Sequence, residues 1–234
     1  MYLSDYERVV CINVDARYDE HAPRIKRMLL AHGVREDRLS FWLNGKGELF
    51  PREKYNQIIQ QSEIPQGWPS SLGGYAITMA IRAVLQQAIR DKVESFLLVE
   101  DDCELLPNFD VILGAATEQL KSLPPWDCLY YGANHYWATT EELAPNVLRC
   151  RTSFMTHCVG IRTKMMIAML NLKVTGLMDI MMAYQLQPCY RCYALWPSIA
   201  IQLPGHSYIN EKHEDRTGFF QSKGVNQNPE QGKG

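Results

Sequence analysis

The sequence predicts an α/β fold in which a largely parallel sheet is flanked by helices, and two patterns support this prediction. Short β-branched or apolar runs alternate along the chain with longer segments that repeat apolar residues at helical spacing. Glycine and proline residues stand at several boundaries between these segments. We see no internal repeat and no interdomain linker, so we expect one domain over residues 1–220 and a disordered polar tail at 221–234.

The first half of the chain is predicted to alternate strands with helices. Strands are predicted where the sequence reads VVCINV, SFWL and FLLV, at 9–14, 40–43 and 96–99. A helix that begins near Asp19 is predicted to end at Gly33, and a longer amphipathic helix is predicted over 75–91. Residues 44–72 show weak periodicity, so we expect a long loop with a short helix there.

The second half continues the same alternation. Helices are predicted at 109–120, 163–172 and 179–187. Strands are predicted at 127–132, 155–161, 192–196 and 198–203, the last two as a pair. Pro124 and Pro125 are placed to end the first of these helices, because proline cannot continue a helical hydrogen-bond ladder.

Composition and charge exclude several functional classes. The formal net charge of −2 and the pI near 6.3 argue against nucleic-acid binding, which normally needs a basic excess. No apolar run reaches bilayer length and the N-terminus lacks a signal-peptide layout, so we expect a cytoplasmic protein with at most peripheral membrane association. The seven scattered cysteines, including the C-x-x-C pair Cys189 and Cys192, are predicted to be reduced and structural. Nothing in the sequence indicates the oligomeric state.

The strand predicted at 96–99 ends in three consecutive acids, Glu100, Asp101 and Asp102. Adjacent carboxylates repel one another, so such a cluster costs free energy unless a cation or hydrogen-bond donors offset it. If the chain stays extended, Glu100 and Asp102 point to one side, which suits a hard divalent cation. Ligands of α/β sheets also bind beyond the carboxyl ends of the strands. The acids alone leave two interpretations open, a metal site and a solvated corner.

Several segments, in the order in which they occur, resemble glycosyltransferases of the GT-A fold, and most closely glycosyltransferase family 25, the lipooligosaccharide galactosyltransferase group. INVDAR at 12–17 is similar to the family's opening strand, and LLVEDDCELLPNF at 97–109 resembles its acidic segment. PPWDCLYYGAN, THCVGIRTKMM and WPSIAIQLPGHSYI resemble later segments. The chain departs from the family's Gly-Cys-x-x-Ser-His stretch, where it has Tyr75, Thr78 and Met79.

The resemblance implies a GT-A-like enzyme that transfers a hexose from a nucleoside-diphosphate sugar, expected to be a UDP-sugar, to a hydroxyl of a glycan, glycolipid or glycoprotein. It also implies inversion at the anomeric carbon and a bound Mn²⁺ or Mg²⁺. The implied metal ligands are Asp102, assisted by Glu100, and a C-terminal histidine, His206. In the resemblance, Glu100 would face the ribose or a metal-bound water. The alternative for His206 is an ordinary surface or hydrogen-bonded residue.

The resemblance places the nucleotide at the end of the first strand and beside the acids. The implied nucleotide-binding residues are Asn13, Asp15, Arg17, Glu100 and Asp101. Arg17 could contact a phosphate bidentately, or it could form a surface ion pair with Asp15 or Glu20. Asp101, on the opposite side from its two neighbours, could instead serve only the loop.

An inverting transferase also needs a base that takes the proton of the attacking hydroxyl. Asp179 matches the position of that base in the family, and an ordinary helix N-cap is the alternative. Tyr136 and Trp137 could stack on an acceptor sugar or anchor a loop. Three other functions stay open: a retaining transferase, a nucleotidyltransferase acting on a sugar phosphate, and a non-catalytic nucleotide- or carbohydrate-binding module.

Overall fold

The structure is a computed structural model that describes residues 2–14, 18–44, 72–135, 140–207 and 212–221. Several sequence predictions fall outside these residues: the nucleotide-binding roles of Asp15 and Arg17, most of the loop predicted at 44–72, the stacking roles of Tyr136 and Trp137, and the tail from residue 222 onward.

The described residues form strands and helices that alternate for much of the chain. The strands are β1 (Arg8–Val14), β2 (Leu39–Asn44), β3 (Ser95–Glu100), β4 (Cys103–Leu105), β5 (Cys128–Tyr130), β6 (Thr140–Ala144), β7 (Val147–Cys150), β8 (Cys158–Arg162), β9 (Cys192–Leu195), β10 (Ala200–Gln202), β11 (Gly205–Ser207) and β12 (Lys212–Glu214). The helices are α1 (Tyr18–Ala31), α2 (Leu72–Arg90), α3 (Phe109–Leu120), α4 (Thr163–Asn171) and α5 (Met178–Met181), which continues as a π-helical turn over Met182–Leu186.

An eight-stranded sheet in the order β2-β1-β3-β8-β5-β9-β7-β6 forms the centre of the molecule. Strands β1, β2 and β3 are parallel to one another, as are β5 and β9, whereas β8 and β7 run against their neighbours. Six of the eight strands therefore point the same way. The predicted α/β class, with a mostly parallel sheet flanked by helices, is confirmed.

Hydrophobic cores cover both faces of this sheet, because the side chains of each strand alternate between the two faces. In β3, Phe96 and Leu98 join the core that contains α2, α4 and α5. Leu97 and Val99 join the opposite core, which contains α1 and α3. The alternation continues at Glu100, so this carboxylate lies on the same face as α5.

Most predicted elements lie where the sequence indicates them, with one clear error. The segments 192–196 and 198–203 were expected to pair, yet β9 pairs with β5 and β7 inside the main sheet, while β10 pairs with β4. Apolar runs predict that a segment is a strand but do not identify its partner, which is chosen by tertiary packing. Strands β4, β6, β7, β11 and β12 were not expected, because they are short and several are largely polar.

Two further expectations can be compared directly with the structure. The seven cysteines form no disulfide in the structure, and six of them are buried whereas Cys189 is exposed. Their reduced state stays a prediction. Gly33 follows α1 with φ of +88°, the left-handed conformation that commonly ends a helix. In the described part of the chain, no helix combines the length and the apolar character that a membrane span requires.

Gly160, in the middle of β8, is a position where even a methyl side chain is predicted to destabilise the protein. A Cβ atom built at this position would lie 1.8 Å from the hydroxyl oxygen of Tyr6, whose ring is fully buried and whose hydroxyl accepts a hydrogen bond from Tyr131. We expect Gly160→Ala to lower the free energy of unfolding by about 1–3 kcal/mol, as overpacked core substitutions do. Urea unfolding monitored by circular dichroism would measure this.

Gly114, inside α3, provides the matched control. A Cβ atom at this position meets nothing within 4 Å, so Gly114→Ala is expected to stabilise the protein by about 0.5–1 kcal/mol through the greater helix propensity of alanine. Equal midpoints for the two variants would contradict the packing of β8 against Tyr6.

Candidate functional site

The acids that follow β3 are brought together by donors from two distant segments. Thr156 Oγ1 donates to Glu100 Oε1 at 2.7 Å, and Gln202 Nε2 donates to Glu100 Oε2 at 3.0 Å. The same amide nitrogen lies 3.4 Å from Asp102 Oδ1. The chain turns at Asp101 and Asp102 rather than staying extended, yet Glu100 and Asp102 still face one common group. Both side chains are partly exposed and so are accessible to a ligand.

Helix α1 holds the turn between β3 and β4 from the opposite side. Arg24 Nη2 donates to the carbonyl oxygens of Asp101, at 2.9 Å, and Cys103, at 3.0 Å. His21 Nδ1 lies 3.0 Å from the same Asp101 oxygen. Asp101 itself is buried, unlike Glu100 and Asp102, which fits the interpretation that it serves the loop. Its contact with a nucleotide stays a prediction.

Asp179 lies in the first turn of α5 and is not its N-cap, which is Leu177. Its two carboxylate oxygens accept hydrogen bonds from the backbone N–H groups of Ile180, at 2.8 Å, and Met155, at 3.3 Å. Met155 has a positive φ of 87°, a conformation that costs about 1–3 kcal/mol for a residue with a side chain and is often found at functional sites.

The start of α5 is itself fixed by the preceding long helix. Thr78, buried in α2, accepts a hydrogen bond on its Oγ1 from the N–H of Met178 at 3.2 Å. Thr78 belongs to the stretch that departs from the family pattern, and the structure gives it the role of positioning the turn that carries Asp179.

Electrostatics link the three partly exposed carboxylates. Burial, and then the charge of Asp102, raise the pKa of Glu100 to about 8, although the hydrogen bond from Thr156 opposes the shift. Asp179 contributes to this rise, and the two carboxylates accept hydrogen bonds from adjacent residues, Met155 and Thr156. The pKa of Asp179 is also raised by burial, against the opposing effects of its backbone hydrogen bonds and of Arg216. The raised pKa favours the protonated form of the Glu100 carboxyl at neutral pH.

The residues present fit a divalent cation in part. In the ranges that the structure describes, no three His, Cys, Asp or Glu side chains are arranged to hold a metal ion. Glu100 and Asp102 nevertheless offer two carboxylates, and Mg²⁺ typically binds one or two carboxylates together with waters and substrate phosphates. A cation would also relieve the repulsion that raises the pKa of Glu100. His206 lies exposed in β11, opposite His213, and its role as a ligand stays a prediction.

Asn13 is the predicted nucleotide-binding residue with the most unusual surroundings. It lies near the carboxyl end of β1, directly after Ile12, which is paired with Glu100 across the sheet. Its side chain is fully buried, and neither its Oδ1 nor its Nδ2 has a hydrogen-bond partner in the part of the chain that the structure describes. An unsatisfied buried amide costs about 1–3 kcal/mol, so this side chain is suited to a ligand that satisfies it.

Three residues of the site were not predicted: Thr156, Gln202 and Arg216. Gln202 is the glutamine of the closing segment that resembles the family, so the sequence did contain a signal for its position. Arg216 gave none, because it lies in the charged stretch EKHEDR, which is typical of a solvated surface. In the structure, Arg216 Nη1 donates to Gln202 Oε1 at 3.2 Å.

Comparisons with known proteins give only weak likenesses. No protein-family model matches the sequence, and neither does any curated protein sequence. Among solved structures, A197 from STIV is similar with a TM-score of 0.40 at 12% identity, over 80% of this chain and 81% of that one. Mannose-1-phosphate geranyltransferase from Thermus thermophilus gives a TM-score of 0.40 at 9% identity, over 81% and 73%. The inositol-1-phosphate CTP transferase from T. maritima gives 0.40 at 12% identity, over 81% and 85%. Similarities of this strength support no conclusion about the fold family or the function of this protein.

The raised pKa of Glu100 predicts a specific dependence of stability on pH. The folded state holds a proton on Glu100 up to about pH 8, whereas the unfolded chain releases it near its ordinary value of 4.5. The folded state therefore binds more protons than the unfolded state in this window, so this group's contribution to stability is lost as pH rises from about 4.5 to 8.

Glu100→Gln removes this titration and keeps both hydrogen-bonding contacts, since the Thr156 hydroxyl can accept as well as donate. We expect the variant to gain thermal stability relative to the wild type at pH 8, with a smaller difference at pH 5. Differential scanning calorimetry across this range in metal-free buffer would measure the gain. A difference in melting temperature that is the same at every pH would show that Glu100 titrates normally.

Proposed function

We propose that this protein is a metal-dependent, inverting glycosyltransferase with a GT-A-like fold. It would transfer a hexose from a nucleoside-diphosphate sugar, with UDP as the expected nucleotide, to a hydroxyl of a glycan, glycolipid or glycoprotein. The observation that carries the proposal is the grouping of three partly exposed carboxylates at the carboxyl end of β3. This is the edge of an α/β sheet where ligands bind. Gln202 contacts both Glu100 and Asp102, and the adjacent residues Met155 and Thr156 donate to Asp179 and Glu100.

Asp102 and Glu100 would hold the divalent cation, with His206 as a candidate third ligand. When bound, Mn²⁺ or Mg²⁺ supplies Lewis-acid stabilisation of the negative charge that develops on a departing diphosphate. The bridge from Gln202 keeps the two carboxylates within reach of one ligand. Because the raised pKa of Glu100 favours its protonated form, cation binding would be accompanied by proton release.

Asp179 would act as the general base. The acceptor oxygen forms a bond to the anomeric carbon while the bond from that carbon to the phosphate oxygen breaks, and its electron pair leaves with the phosphate. Asp179 takes the proton of the acceptor hydroxyl. Burial raises the pKa of this carboxyl, which makes it a stronger base than an exposed aspartate.

Asn13 would bind the nucleotide from the end of β1, since its buried amide has both a donor and an acceptor to offer. Asp15, Arg17 and Asp101 complete the proposed nucleotide-binding set. The donor's diphosphate would then lie between the end of β1 and the carboxylates after β3, which are adjacent strands of the sheet.

A nucleotidyltransferase acting on a sugar phosphate is the second candidate, because the same carboxylates could hold the cation for that reaction. The two reactions differ in their need for a base. A sugar phosphate is already ionised at neutral pH, so its attack on a nucleotide would not require Asp179. A retaining transferase would give the opposite anomer, and a non-catalytic binding module would bind a nucleotide sugar without turnover.

Asp102→Asn tests the proposed metal role. We expect this variant to lose transfer and donor hydrolysis while its fold stays intact, because an amide is a much weaker ligand for a hard cation than a carboxylate. Thermal-shift screening of UDP-, GDP- and CDP-sugars with and without Mn²⁺ would first identify the donor, since a ligand that binds only the folded state raises the melting temperature. Full activity of Asp102→Asn, or of the wild type in excess chelator, would rule out the metal role.

Asp179→Asn tests the proposed base. We expect transfer to fall by about 10²- to 10⁴-fold, the usual contribution of a general base, while calorimetry shows donor binding close to that of the wild type. The anomeric configuration of the product, read by NMR, distinguishes inversion from retention. Loss of donor binding would contradict the base assignment, whereas unchanged pyrophosphate release from a nucleoside triphosphate and a sugar phosphate would favour the nucleotidyltransferase.

A further inference from the structure

The segment that follows β12 carries Arg216 to the carboxylates and is well anchored there. Phe220 is buried, and its ring centre lies 5.0 Å from that of the buried His157. Just after Arg216, the backbone N–H and the hydroxyl of Thr217 both donate to Asp215 Oδ1, at 3.0 Å and 2.7 Å. These contacts hold the backbone on the C-terminal side of Arg216.

The guanidinium of Arg216 has two acceptors in the structure. Nη1 donates to Gln202 Oε1 at 3.2 Å, and Nη2 forms an ion pair with Glu214. The nitrogen of the same Gln202 amide faces Glu100 and Asp102, so one side chain separates the guanidinium from the proposed cation site. Arg216 is 21% exposed, which leaves it accessible to a ligand that enters this pocket.

A phosphate would be a better acceptor for Arg216 than the group it now contacts through Nη1. A guanidinium presents a planar fork that matches two phosphate oxygens, and charge-assisted hydrogen bonds are shorter and roughly twice as strong as neutral ones. The Gln202 oxygen is neutral and lies at 3.2 Å, whereas a diphosphate brings several charged oxygens. Glu214 is the charged competitor that a bound phosphate would have to replace or share.

We propose that Arg216 binds the phosphates of the nucleoside diphosphate in this site and that Glu214 holds Arg216 when the nucleotide is absent. This inference rests on the proposed function and deepens it, because it identifies a diphosphate as the ligand of the C-terminal segment. It also gives the site a positive charge that belongs to the chain and complements the proposed cation at Glu100 and Asp102. Such charges stabilise a departing phosphate group because they are fixed in place before the reaction.

Isothermal titration calorimetry with UDP, GDP and CDP in Mg²⁺ buffer tests the inference, with the corresponding nucleosides as probes that lack phosphate. We expect Arg216→Ala to weaken binding of the diphosphate about tenfold or more. The diphosphate affinity of Arg216→Lys should lie between those of the wild type and Arg216→Ala, and nucleoside binding should stay unchanged in both variants. Glu214→Gln should tighten diphosphate binding in the wild type. The same substitution should have a smaller effect in the Arg216→Ala variant. Arg151→Ala is the matched control, since Arg151 pairs with Glu141 on the surface and should leave all affinities unchanged.

Each contrary outcome has a distinct meaning. Wild-type diphosphate affinity in Arg216→Ala overturns the inference and leaves the proposed function standing. Equal weakening of diphosphate and nucleoside also overturns it, because that pattern indicates a structural role. If Arg216→Ala does not fold, Glu214→Gln and Arg216→Lys provide the test instead. Unchanged diphosphate affinity in both of these variants then overturns the inference. If the wild type binds none of the three diphosphates, both the inference and the proposed function fail. This outcome is read from the wild type alone.

Discussion

The repulsion between Glu100 and Asp102 is the constraint to which the rest of the site responds. Two carboxylates that face one amide would drive each other apart unless donors or a cation offset their charge. The structure supplies donors from separate parts of the chain, Thr156 before β8 and Gln202 at the end of β10. Burial raises the pKa of Glu100 to about 8, and the charge of Asp102 that these donors leave uncompensated adds to the rise. The proposed cation would offset the remaining repulsion.

The fold places these donors through sheet geometry. Strand β8 lies beside β3 and runs against it, so the residues that precede β8 meet the carboxyl end of β3. The backbone makes the same connection, since the N–H of Glu100 donates to the carbonyl of His157 at 2.9 Å. Strand β10 pairs with β4 directly after the acidic turn, which brings Gln202 opposite Cys103. The antiparallel strand β8 and the small sheet of β4 and β10 thus supply the donors to these carboxylates.

The sequence predicted the parts of this arrangement that depend on local patterns. The apolar run that ends at Val99 identified β3 and its acids, and helical spacing identified α2. Local patterns carry no information about which distant residue meets a carboxylate, so Thr156 and Arg216 were not found. The resemblance to known transferases located the segment of Gln202 but not its contact. Asp179 was found by its position in that resemblance, whereas its hydrogen bond from Met155 depends on a backbone conformation that no residue pattern indicated.

Glu100 and Asp179, the two acids on the α5 face of the site, differ in the groups that offset their charge. This difference bears on which of them is the better proton acceptor. Glu100 is surrounded by Asp102, Asp179 and Asp101, all of which favour its protonated form. Asp179 accepts two backbone N–H groups and is close enough to Arg216 for the guanidinium to lower its pKa. Each carboxylate accepts two hydrogen bonds, but only Asp179 has a neighbouring guanidinium that lowers its pKa. The surroundings of Asp179 therefore favour its ionised form more than those of Glu100 do, as its proposed role as general base requires, whereas the acids around Glu100 favour a bound proton or the proposed cation.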